Sequence, residues 1–144
     1  MKQTADCFAK GLLKKITPDA ALAQSDIAQA EFFLSEALDL IELPKNEMAF
    51  LALYNAVFHA GRALLYLDGI KEKSHHCLQK YLEEKYCKHQ QLHASDIALF
   101  DVLRGIRQEV QYGVAKIKFE ENPGELADKT EHFIQKTKRI LKSK

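Results

Sequence analysis

Chemically promising residues stand where apolar stretches are interrupted. Between about Glu47 and Leu67 the sequence is apolar on nearly every side of a helix, yet Tyr54, His59, Arg62 and Tyr66 fall inside it. An arginine there needs a carboxylate or hydrogen-bond partner, or a stem that packs while its head reaches water. His59 suits either a satisfied core or interface histidine or a proton-transfer group. A second polar set, Arg104, Arg107, Glu109, Gln111 and Tyr112, accompanies a later apolar stripe. By composition alone it reads as a solvated helix face in which Glu109 can pair with a neighbouring cation.

A third set is His75, His76, Cys77, Cys87, His89 and His93. Zinc signatures pair ligands at close spacing, as in Cys-x2-Cys, and Cys77 and Cys87 stand too far apart for that. No metal and no cofactor are expected. Phosphate loops of the Gly-x-x-x-x-Gly-Lys and Gly-x-Gly-x-x-Gly types do not occur, nor does a Gly-x-Ser-x-Gly nucleophile elbow.

The elements that position these residues read as helices. Thr17-Pro18 is a start signal, and Leu22, Ala23, Ile27, Ala30, Leu34, Ala37, Leu38 and Ile41 recur at three and four to about Leu43. This helix carries six acidic residues, Asp26 among them, and no Lys or Arg. Asn46 is the expected cap of the apolar helix over 47–67, and Gly69 its terminator. A helix that apolar needs cover on every face, for which a partner subunit is a natural source. A loop over 70–73 leads to Ser74 as the cap of a helix from His75 to about Tyr86. Ser95-Asp96 opens a helix whose stripe, Leu99, Leu103, Ile106, Val110, Val114 and Ile117, runs to about Phe119. Asn122-Pro123-Gly124-Glu125 caps a last helix ending near Leu141, with a basic tail. No segment shows β alternation. The expected fold is all-α, an up-and-down bundle of four long helices over residues 16–144, with residues 1–15 as an arm or short helix.

Composition agrees. The 144 residues include 3 Pro and 6 Gly, about half the usual share, which favours long helices over a turn-rich sandwich. The 21 Lys and Arg against 20 Asp and Glu leave a net charge of +1, so the total implies no single basic surface, though charge can be segregated. No apolar run reaches 18 residues, and the first residues lack a secretory signal, so a cytoplasmic protein without a membrane span is expected. Three cysteines without paired spacing are expected to be reduced thiols.

Three short stretches together carry a family resemblance. Residues 54–65, Tyr-Asn-Ala-Val-Phe-His-Ala-Gly-Arg-Ala-Leu-Leu, resemble the second helix of the HEPN domain. The likeness continues through Asp68-Gly69-Ile70 and Lys73-Ser74-His75 and ends on Arg107-Gln108-Glu109-Val110-Gln111-Tyr112-Gly113, covering roughly 20–141. The resemblance implies a dimerising helical bundle in a prokaryote. It further implies a minimal nucleotidyltransferase partner, often as a toxin–antitoxin pair. Many HEPN domains are metal-independent ribonucleases whose Arg is followed four to six residues later by His. Both subunits supply that pair to one interface cleft, where a ribose 2′-hydroxyl attacks the adjacent phosphate.

Here the His is missing. From Arg107 it would fall at Tyr112, Gly113 or Val114, and from Arg104 at Glu109, Val110 or Gln111. A phenol with an ordinary pKa near ~10 is a poor base at neutral pH. Arg107, Tyr112 and His59 are the catalytic candidates, with His75 as another source of a base. The expectation leans to binding: a homodimer whose cleft, lined by Arg62, Lys73, His75, Arg107 and Tyr112, takes a nucleotide or RNA phosphate. Tyr54, His59 and Tyr66 are read as core or dimer-interface polar groups. The alternative is a ribonuclease toxin.

Overall fold

A computed structural model describes residues 3–113 and 120–143. Its frame is a hairpin of two long helices, α2 (Ala20–Glu42) and α3 (Asn46–Asp68), each about 35 Å long at the α-helical rise. Before them come α1 (Ala5–Ala9) and strand β1 (Leu13–Lys15). After them come β2 (Ile70–Glu72), α4 (His75–Leu82), α5 (Ala94–Tyr112) and α6 (Pro123–Lys142). The fold is all-α apart from the two short strands.

The start of α2 is set by tertiary contact. The Ile16 amide donates to the Gly69 carbonyl and the Asp19 amide to that of Tyr66, so residues 16–19 stay extended along the end of α3. The cap is therefore Asp19, which accepts from the Leu22 amide at 2.9 Å, and not Thr17. Leu22 and Leu38, placed on the buried stripe by periodicity, are instead exposed, and Asp26 is buried.

The apolar girth of α3 is covered by its own chain: α2, α4, α5 and α6 all pack against it. By length and composition this helix passes for a membrane span, yet 72% of that window is buried in the bundle. Met48, near its start, is left exposed. Asn46 is its first residue and does not cap it through its side chain, while Gly69 ends it in the left-handed conformation, at φ 76°. Gly61 admits α4 and α5 closely, since a Cβ there would lie 3.0 Å from Leu82 Cδ1 and Phe100 Cζ. Gly105 has open space, so close approach does not explain it.

Residues 70–73 are not a loop. β2 pairs antiparallel with β1 in the register Leu13↔Glu72, Lys14↔Lys71, Lys15↔Ile70, and the Lys73 amide continues the ladder to the Leu12 carbonyl. Three-residue strands are too short to show alternation. The ribbon sets the arm beside α4, where Cys7 and Cys77 form a disulfide with Cα atoms 5.9 Å apart. The expectation of three free thiols is thus corrected, with Cys87 the free cysteine. The partners are 70 residues apart, beyond the reach of any spacing rule.

The helix from His75 changes to a π-helical turn over Glu83–Cys87. Within this turn Tyr86 is buried and donates to Asp68 Oδ2 at 2.6 Å, alongside Tyr81 at 3.0 Å. Helix α5 starts at Ala94, one residue before the expected signal, because His93 and Asp96 form a capping box. It ends at Tyr112 and leaves helical geometry at Gly113, at ψ 143°. Val114, Ile117 and Phe119 lie outside the described residues. Asn122 caps α6 through the Glu125 amide, with Pro123 in the first turn.

Closing a loop of this length is worth about 4 kcal/mol in the chain-entropy account. Reduction, or Cys7→Ser, is expected to lower the unfolding free energy by about 2–4 kcal/mol. Urea denaturation with and without reductant reads this out, and the variant should lose its sensitivity to reductant.

Candidate functional site

One face of α3 presents Tyr54, Phe58, Arg62 and Tyr66, each one turn from the next. The first residue of α4 meets this face. Ser74 caps α4 through the Cys77 amide (3.1 Å), which fixes the chain direction at His75. His75 Nδ1 then hydrogen-bonds the Tyr54 hydroxyl, and its ring lies 4.2 Å from the Phe58 ring. Helix α5 contributes Arg107, whose guanidinium stands 5.1 Å over the Tyr54 ring.

Electrostatics keep this pair neutral. Burial, and then the charges of Arg107, Arg62 and Arg104, push the His75 pKa below the usual imidazole value. Burial raises that of the Tyr54 phenol despite Arg107 and Arg104. Arg104 is occupied by Asp101 at 3.0 Å. Arg107, half-buried, has no carboxylate at ion-pair distance among the described residues. It also walls a groove of about 340 Å³ between α2, α3 and α5, with Phe32, Met48, Asn55 and Gln111.

Arg62 has a partner, and sequence reading missed which. Asp26 of α2, 5% exposed, accepts from Arg62 Nε at 3.0 Å and Nη2 at 2.9 Å. It also accepts from His59 Nδ1 at 2.9 Å, so the His59 proton sits on that nitrogen. Burial alone would raise the Asp26 carboxyl, but the His59 and Arg62 hydrogen bonds outweigh it and hold it below the ordinary value. The Asp26 bond in turn raises Arg62. His59 also stacks on Phe33, and the Arg62 guanidinium lies over Phe58 and Tyr66 at 5.3 and 5.6 Å. A signal for Asp26 existed: it stands within the stripe Ala23, Ile27, Ala30, facing a helix whose arginine needed an anion.

Of the residues singled out in sequence, Tyr54, His75 and Arg107 meet directly. Arg62 and Tyr66 join them through Phe58. His59 faces Asp26. Lys73 lies on the exposed ribbon beside Lys14, whose ammonium pushes its pKa down. Tyr112, 72% exposed, ends α5. The histidines and cysteines near α4 separate, with Cys77 in the disulfide, His75 on Tyr54 and His93 capping α5. Among the described residues no three His, Cys, Asp or Glu side chains gather as metal ligands.

The Asp26 cluster makes a prediction. Asp26→Asn leaves Arg62 half-buried and without its anion, which costs about 3 kcal/mol by the precedent of broken buried pairs. A carboxylate held below its unfolded value stabilises the fold above that value, and the contribution is lost as pH falls through the folded one. The wild-type unfolding free energy should therefore drop more steeply below about pH 4 than that of Asp26→Asn, as chemical denaturation across pH would show.

The family model for the HEPN domain matches residues 23–142, which takes in α2 through α6 and the whole Tyr54–His75–Arg107 site. No curated protein gives a significant match. Shared over most of its length with that domain, the chain belongs to the HEPN family.

Proposed function

We propose that this HEPN protein binds the phosphate of a nucleotide or of RNA at Arg107 without cleaving it. The observation that carries the reading is the Arg107 guanidinium over the Tyr54 ring, whose hydroxyl bonds a neutral His75, with no carboxylate at ion-pair distance among the described residues. A guanidinium so placed offers two parallel donors to a phosphate. His75 adds a group that gains a proton once a dianion offsets the nearby arginines. We further propose that the protein acts as a homodimer in the cytoplasm of a prokaryote, in a toxin–antitoxin-like pairing with a minimal nucleotidyltransferase. Exposed Phe32 and Met48, each 53% accessible and both beside the Arg107 groove, support a subunit contact there.

A second reading, a ribonuclease, draws on one observation. His75, with its pKa pushed down, is an unprotonated imidazole near Arg107 and has the form of a general base for a ribose 2′-hydroxyl.

Calorimetric titration with a nucleoside monophosphate tests the first reading. Arg107→Ala should weaken binding about tenfold or more. Affinity should rise as pH falls from 8 to about 7, where the monophosphate is still largely a dianion, because the bound phosphate raises the His75 pKa. The His75 proton resonances should report that rise directly. RNA cleavage in EDTA that vanishes in both Arg107→Ala and His75→Ala decides for the ribonuclease. Light scattering should give about twice the 16.4 kDa chain mass, and a value near 16.4 kDa removes the dimer.

A further inference from the structure

The β1–β2 ribbon carries a charge arrangement that the fold does not need. Lys14 stands directly opposite Lys71 in the register, so their side chains leave the same face. Lys73 is two residues beyond Lys71 and the diagonal neighbour of Lys14. All three are exposed, and none has a carboxylate within ion-pair distance among the described residues. Glu72 leaves the opposite face of the ribbon, in register with the buried Leu13, and its half-buried carboxylate interacts with Arg62 and Lys71. Like charges placed opposite each other destabilise a ribbon. Three of them together make a site for an anion with more than one charge.

The ribbon is continuous with the site on α3. Lys71 Nζ donates to the Tyr66 hydroxyl at 3.2 Å and lies over that ring at 5.5 Å. The Arg62 guanidinium lies over both Tyr66 and Phe58, and that of Arg107 lies over Tyr54. The 12 residues from Tyr54 to Tyr66 span about 18 Å along α3, and the ribbon extends the row by a strand spacing of about 5 Å. The Asp26 carboxylate neutralises Arg62, which leaves Arg107 at one end and the lysines at the other.

We propose that the ribbon lysines Lys14, Lys71 and Lys73 form a second phosphate-binding site, and that the row from Arg107 to the ribbon holds a single RNA strand several nucleotides long. This rests on the Arg107 reading and names its ligand as a polyanion rather than a mononucleotide. A linear row of cations matches a strand of phosphates, whereas a membrane surface is served by a broad patch with apolar side chains to insert.

The test uses the full chain with two probes, uridine monophosphate and an oligouridine of about ten nucleotides. In Lys14→Gln/Lys71→Gln, both positions exposed, the fold should be retained and monophosphate binding unchanged. Oligouridine affinity should fall about tenfold or more, and the slope of log affinity against log salt should shrink by about 1.4, at ~0.7 for each phosphate contact in single strands. Unchanged oligouridine affinity in the lysine variant, with monophosphate binding still lost in Arg107→Ala, overturns the ribbon site alone. Failure of the unmodified protein to bind either probe overturns the Arg107 reading as well. Lysine-dependent binding to phosphatidylserine vesicles without oligouridine affinity also overturns the RNA assignment.

Discussion

The structure turns on a buried carboxylate. Asp26 sits on the face of α2 that packs against α3, where a lone anion would be costly to desolvate. Arg62 meets it with two hydrogen bonds and His59 with a third, so every one of its strong donors comes from a single turn of α3. That geometry fixes how the two long helices slide and rotate against each other. It also decides what the rest of the α3 face can do. With Arg62 turned to Asp26, its guanidinium plane lies over Phe58 and Tyr66, and these rings become the floor of the neighbouring site.

A second constraint comes from the arm. The ribbon and the Cys7–Cys77 bond hold both sides of the turn that leads into α4. His75 is the first residue of that helix, so its contact with Tyr54 depends on chain closures made by residues more than sixty positions earlier. The π-helical turn after Leu82 works in the same direction. It delivers Tyr86 to Asp68 at the end of α3 and so ties both ends of α4 to one helix.

Charge is distributed by this packing and not by the total. Some carboxylates are taken up by cations within the fold. Asp26 takes Arg62, Asp101 takes Arg104, Asp96 takes Lys136 and Glu31 takes Lys138. Among the described residues, Arg107 and the ribbon lysines are among the cations with no carboxylate at ion-pair distance. A net charge of +1 is therefore compatible with a local row of positive charge.

Local physics made much of this readable in one dimension. The three-and-four spacing of apolar residues and the punctuation at Gly69 and Pro123 determined α2, α3 and α6, and the start of α5, to within a few residues. Backbone geometry and side-chain burial both repeat within one or two turns, so a window of sequence suffices. The stretches around Tyr54 to Leu65, Lys73 to His75 and Arg107 to Gly113 likewise marked which helices carry the site and to which family the chain belongs. The tertiary structure alone decided that Asp26 is the anion of Arg62, that His75 meets Tyr54, that Cys7 bonds Cys77, and that Lys14 faces Lys71. Each of these joins groups 21 to 70 residues apart through side chains that leave no periodic trace, and only the closing of the helices and the ribbon brings them within reach.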